Sequence, residues 1–204
     1  MLTQTGDVQI IGALSATSIT GTTRAGITQE ASQIYPIELQ LFRVWDAFQT
    51  PLGTAAADDL GITAAAFATG CPYIHSGDLN ALGPYTRYAR AMFTLPVEYV
   101  AGGAAAFRFA TGMLTAVASV SNTIDVEAYK SDRDATIGGS DLVTTAAQSM
   151  NSTTFAEKTF TIEPSTLAPG SVLDIRIALI GNSATASAHF AAIAHAELSL
   201  TVKG

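Results

Sequence analysis

The sequence has one cysteine, Cys71, so no disulfide framework can be drawn within it. Charge is also scarce. Charged residues make up 13% of the chain, against about 25% in an ordinary soluble domain. The ten Lys and Arg are scattered singly among seventeen Asp and Glu, and the net charge is −7. A nucleic-acid partner is excluded on that ground, because phosphate binding depends on clustered positive charge. No apolar run approaches the ~18 residues that span a bilayer, which argues against a membrane partner. The start "MLTQTGDVQ" lacks the basic and apolar regions of a signal peptide, so synthesis in the cytoplasm as a soluble chain is expected. A helical stripe with caps is missing as well.

What the sequence does contain is strand periodicity. "NTIDVEAYKSD" sets Ile124, Val126 and Ala128 against Asp125, Glu127 and Tyr129. "SVLDIRIALIG" sets Ile175, Ile177 and Leu179 against Asp174 and Arg176. Further segments of this kind are "TRYARAMFTLP", "GAAAFRFATGMLTAVAS" (where a Gly is a candidate bulge) and "FAEKTFTIEP". "YPIELQLFRVWDAF" reads as a strand opening the main domain. Strands at modest spacing, separated by Gly, Pro, Asn and Asp, predict an all-β fold, an antiparallel jelly-roll-like β-sandwich over residues 34–204. Residues 1–33 contain no aromatic side chain and too little apolar bulk for a core of their own. They are expected to form an extended arm for attachment and assembly, ordered by strand addition to a neighbour. The Ala-rich stretch 49–82 reads as a long loop with one helical turn near Ala55 to Leu60.

Chemistry is thin. His75, His189 and His195 are the only histidines, and neither a nucleophile elbow nor a phosphate loop is present. No catalytic residue and no cofactor is predicted. Asp132, Asp134 and Asp141 share a Gly-containing loop that could hold calcium, but the spacing departs from the helix-loop-helix pattern, and a solvated hairpin is the competing reading. Trp45, Tyr73, Tyr85, Tyr88, Tyr99 and Tyr129 are candidates for a sugar platform, set against the plain alternative that they fill the core. Cys71 is expected to be a packed thiol.

The C-terminal run "SATASAHFAAIAHAELSLTV" begins with small apolar residues on both faces. Ala188, His189, Phe190, Ile193, Ala194 and His195 are the predicted subunit interface. The rival reading keeps them inside the chain, between the main sheet and the 49–82 stretch. Low surface charge favours a homo-oligomer, since interface cores are depleted of charge.

"YPIELQLFRVWDAFQTPLGTAAADDLGI", "TRYARAMFTLPVEYVAGGAAAFRFATGML" and the stretch from "IDVEAYKSDRD" to "LAPGSVLDIRI" together resemble the β-sandwich virion proteins of tailed bacteriophages. Capsid decoration (cement) proteins and head-fibre or tail-associated proteins are of this type. "GDVQIIGALSATSITGTT" is similar to the β-arms by which such proteins attach to neighbours. The likeness lies in style and composition and brings no diagnostic motif or site residue. It implies a structural virion protein on the capsid surface that stabilises the particle by binding the major capsid protein, as a homotrimer. The alternative it leaves open is a receptor- or carbohydrate-binding head domain of a phage fibre.

Overall fold

Period-two apolar segments need a partner layer for their buried face, and here two antiparallel sheets supply it to each other. The computed structural model describes residues 30–63, 66–78, 83–115, 120–131, 137–183 and 189–203. The strands are β1 (Glu30–Pro36), β2 (Gly61–Ile62), β3 (Ile74–His75), β4 (Gly83–Thr94), β5 (Ala105–Thr115) and β6 (Val120–Ser131). They continue with β7 (Ile137–Gly138), β8 (Gln148–Ser149), β9 (Ala156–Ile162), β10 (Val172–Ser183) and β11 (Phe190–Lys203). One sheet runs β2-β3-β11-β5-β9, with β1 also on β11; the other runs β4-β10-β6-β7, with β8 also on β6. The long strands alternate between the sheets along the chain, β4 in the second, β5 in the first, β6 in the second, and again for β9, β10 and β11. This is an antiparallel jelly-roll-like sandwich.

The core follows the sequence pattern. Leu173, Ile175, Ile177 and Leu179 of β10 face Phe107, Phe109, Phe160 and Leu198 from the other sheet's strands, all fully buried. Phe109 meets Phe160 edge-on at 6.1 Å. Such pairing adds to the area term because ring edges and faces carry opposite partial charge.

Three local expectations are corrected, while the glycine expected to mark a bulge in β5 does lie between two register shifts. The strand expected over Ile37 to Trp45 is absent: β1 ends at Pro36, a 3-10 turn covers Leu39–Leu41, and only Arg43 pairs, through isolated bridges to Pro51 and Arg90. The helical turn near Ala55 is instead a tight reversal, with Ala56 and Asp59 exchanging backbone hydrogen bonds and Ala57 at φ 46°. Cys71 is exposed, on a loop whose neighbours from Ala66 to Pro72 are exposed too. The glycine of β5, Gly112, is required by close approach: a Cβ there would stand 2.8 Å from the Phe155 ring. The register shifts fall beside it, between Phe190 and Ala191 and between Ile193 and His195. Of the N-terminal arm, residues 1–29 lie outside the described residues, and 30–33 form the start of β1, paired with β11.

Candidate functional site

In the second sheet the outward phase of three strands carries the polar and aromatic residues. Pairing aligns them in rows: Tyr88 with Ala178 and Asp125, Arg90 with Arg176 and Glu127, Met92 with Asp174 and Tyr129. Neighbouring strands are roughly 4.8 Å apart and successive rows roughly 7 Å, so these side chains form one continuous surface.

Arg90 donates from Nε to Asp174 Oδ1 at 2.7 Å, and its Nη2 bonds the other carboxylate oxygen. Asp174 is 5% exposed. This hydrogen bond, more than the accompanying charge attraction, raises the Arg90 pKa above its ordinary value. Arg176 donates from Nε to Glu127 Oε2 at 2.8 Å. Its guanidinium lies 4.8 Å from the centre of the Tyr88 ring and 5.6 Å from that of Trp45. The two rings are 5.2 Å apart, and Trp45 Nε1 donates to Asp58 Oδ2 at 3.1 Å. Arg90 in turn lies 5.2 Å from the Phe48 ring. Burial, then the carboxylates of Glu127 and Asp141, push the Tyr129 phenol upward in pKa, against the opposing pull of Arg176.

The loop bearing Trp45, Asp46 and Phe48 is fixed to the edge of β4 by two backbone bonds between Arg43 and Arg90, of 2.8 and 3.0 Å. Tyr88 is held in the same way, its N–H donating to Asp58 O at 2.7 Å and its carbonyl accepting from Leu60 N–H at 2.9 Å. The edge of β4 is thereby covered, and the aromatic side chains are set by the sheet rather than by a free loop. The result is a cleft of about 380 Å³ between Trp45, Asp46 and the Arg90 pair on one side and Glu127, Tyr129 and Ile137 on the other. A smaller hollow of about 130 Å³, lined by Tyr88, Asp125 and Ile180 among others, shares Glu127 and Arg176 with it.

Three of the six aromatic candidates, Trp45, Tyr88 and Tyr129, meet on this surface. Tyr99 is fully buried and donates to the Gly103 carbonyl at 2.5 Å. Tyr73 packs against His75 at 5.8 Å. Tyr85 falls on the other phase of β4. The arginines and carboxylates of the site were visible in sequence only as the polar phase of β4, β6 and β10.

Of the predicted interface, His189 and Ile193 are fully buried within this chain, Phe190 is half-buried, and Ala194 and His195 are exposed. Ala188 lies outside the described residues. Within the sheet Ala192 and Ile193 are flanked by β3, from the 49–82 stretch, on one edge and by β5 on the other. His195 Nε2 lies 3.1 Å from Glu197 Oε2. Of the three candidate calcium ligands, Asp132 and Asp134 lie outside the described residues. Asp141 Oδ1 accepts the N–H groups of Ala128 and Val143, each at 2.9 Å, and so serves the edge of β6 between β7 and β8. Among the described residues no three His, Cys, Asp or Glu side chains stand close enough to hold a metal ion.

No family model matches the sequence, and no curated protein does. Among solved structures the chain is similar to the CBM22-1 xylan-binding domain of Paenibacillus barcinonensis Xyn10C, at 12% identity and a TM-score of 0.38, covering 72% of this chain and 82% of that one. It is similar to TmCBM61 in complex with beta-1,4-galactotriose, at 10% identity and a TM-score of 0.37, covering 85% and 88%. It is also similar to the family 30 carbohydrate-binding module of a cellulosomal cellulase of Clostridium thermocellum, at 10% identity and a TM-score of 0.31, covering 70% and 83%.

Proposed function

We propose that the chain is a non-catalytic binding protein whose outer β4-β10-β6 face takes an oligosaccharide. The observation that carries this reading is the Arg176 cluster, a guanidinium bonded to Glu127 and lying against Tyr88 and Trp45, with the Arg90–Asp174 pair alongside. A sugar presents hydroxyl groups that both donate and accept, and an apolar C–H face. Planar arginine and carboxylate groups serve the first, and aromatic rings serve the second. These side chains are already locked by their mutual bonds, so little conformational freedom is lost on binding. The same bonds commit Glu127 and Asp174 to guanidinium groups, an arrangement for holding a ligand rather than for passing a proton to it. The test is a glycan array followed by titration calorimetry with the wild type and with Trp45→Ala. Binding that the variant loses supports the reading, and a protein that binds no glycan ends it.

A second reading concerns assembly, and β1 favours it. This strand pairs with β11, yet six of its seven residues are exposed, including Ile34 at 49%. Among the described residues only β11 pairs with it, so its other edge can take a strand of another subunit or of a capsid lattice. On a virion the two readings are compatible, with β1 attaching the protein and the β4-β10-β6 face meeting a receptor glycan. Addition of the protein to undecorated capsids, with and without residues 1–36, tests the attachment role.

A further inference from the structure

We infer that the cleft selects its glycan by charge, favouring amine-bearing sugars over neutral ones and rejecting acidic ones; this rests on the oligosaccharide reading given above. The two connected hollows carry two guanidinium groups, Arg90 and Arg176, against four carboxylates, Asp46, Asp125, Glu127 and Asp174. Both arginines are already paired, Arg90 with Asp174 and Arg176 with Glu127. A uronate or sulfate entering the site would therefore find no uncommitted cation among the described residues that line the two hollows. It would also meet the two remaining carboxylates, Asp46 and Asp125, neither of which has an ion-pair partner among the described residues. Like charges brought together in a partly desolvated cleft repel, and that repulsion discriminates between ligands more than it adds affinity.

An ammonium group meets the opposite situation. Asp46 is exposed beside Trp45, and Asp125 is half-buried in the row of Tyr88, so an acceptor stands in each hollow. Asp125 spends Oδ1 on the N–H of Val126 at 3.0 Å, which fixes its rotamer on the outer face. Two further acids, Asp58 and Asp59, lie behind the Trp45 loop. Asp58 accepts from Trp45, while Asp59 is pushed up in pKa first by burial, then by the Asp58 and Asp46 charges, with Arg87 opposing. These acids of the loop add to the carboxylates of the sheet, with Arg43, opposite Arg90, as the opposing charge on the loop.

The experiment is an array of oligosaccharides in several linkages, matched in length and carrying hydroxyl, acetamide, ammonium or carboxylate groups, read at low and at physiological salt. Amine-bearing members are expected to bind about fivefold tighter than their acetylated counterparts at low salt, with salt narrowing the gap, as partly exposed charge pairs behave. Acidic members are expected to give no signal. In the double variant Asp46→Asn with Asp125→Asn the ratio of amine to neutral binding should fall to near parity. Equal binding of acetylated and amine forms, or retention of acidic members, overturns the charge inference and leaves the oligosaccharide reading standing. Silence across the whole array overturns both.

Discussion

Arg90 and Arg176 are directly opposed across β4 and β10, yet their guanidinium groups do not share a partner. Arg90 turns to Asp174, two residues along β10, and Arg176 turns across to Glu127 on β6. Like charges at opposed sheet positions are unfavourable, and here each is neutralised by its own carboxylate. Four ionic side chains are thereby held on a face whose reverse, at these rows, is Ala89, Ala91, Val126, Ala128, Ile175 and Ile177.

The two pairs are unequal in burial, and that sets the first prediction. Asp174 is nearly enclosed, whereas the Arg90 side chain is 32% exposed. Removing the arginine strands a buried carboxylate, so Arg90→Ala should cost about 1–3 kcal/mol, less than a fully buried pair because water reaches the site. The double variant Arg90→Met with Asp174→Leu should recover most of that loss. Chemical denaturation of the three variants checks it, and a double variant as unstable as the single one would mean that the pair itself supplies net stability.

Much of this face was legible as phase and none of it as register. Period-two alternation puts Glu127 and Tyr129 on the polar side of β6, and Asp174 and Arg176 on that of β10. Nothing in the period says that residue 176 stands opposite 127, because register is decided by turns and by the joint packing of both sheets. Trp45 was misplaced for a related reason. The alternation of Ile37, Leu39 and Leu41 imitates a strand, but only Ile37 is buried, and Pro36 ends the pairing with β11. The Ala-rich C-terminal run raised the right question about what covers it. Beside Ala192 and Ile193 the sheet continues into β3, two residues long within a stretch dominated by turn residues, too short to show a period.

Arg176 supports a second prediction. Lysine has neither the planar fork nor the flat surface that meets Tyr88 and Trp45. Arg176→Lys should therefore weaken glycan binding at least tenfold while changing stability by less than about 1 kcal/mol, since lysine keeps the charge and both partners of the ion pair are partly open to water. Titration calorimetry beside a thermal melt separates the two effects. Unchanged affinity would remove the guanidinium from the binding surface.

Gly112 allows a test of packing alone. A methyl group there would press on the Phe155 ring at 2.8 Å and on the Ser152 carbonyl at 3.0 Å, where the 152–155 segment crosses β5. Gly112→Ala should cost about 1–3 kcal/mol by overpacking. Restoring room with Phe155→Leu in the same chain should return part of it. An alanine variant as stable as the wild type would show that the segment moves aside without cost.

The last prediction concerns pH. His75 Nδ1 accepts the N–H of Gly77 at 2.9 Å, so that nitrogen must be unprotonated in the fold. Burial first, and the nearby Arg87 charge second, lower its pKa below the ordinary 6.5. Arg87 is itself fixed there by a bond from Nε to the Ala57 carbonyl at 3.0 Å and by another to the Ser76 carbonyl. The folded protein thus resists a proton that the unfolded chain accepts. By linkage, the contribution of neutral His75 is fully present above pH 6.5 and is lost as pH falls below that value toward the depressed folded pKa. Asparagine offers a side-chain oxygen that can accept the same N–H and does not titrate. Thermal melts of the wild type and His75→Asn across this range share every carboxylate effect, so their difference isolates the imidazole. The melting temperature of the wild type should fall relative to the variant only below pH 6.5. A difference that stays constant with pH would show that His75 takes up its proton as readily in the fold as out of it.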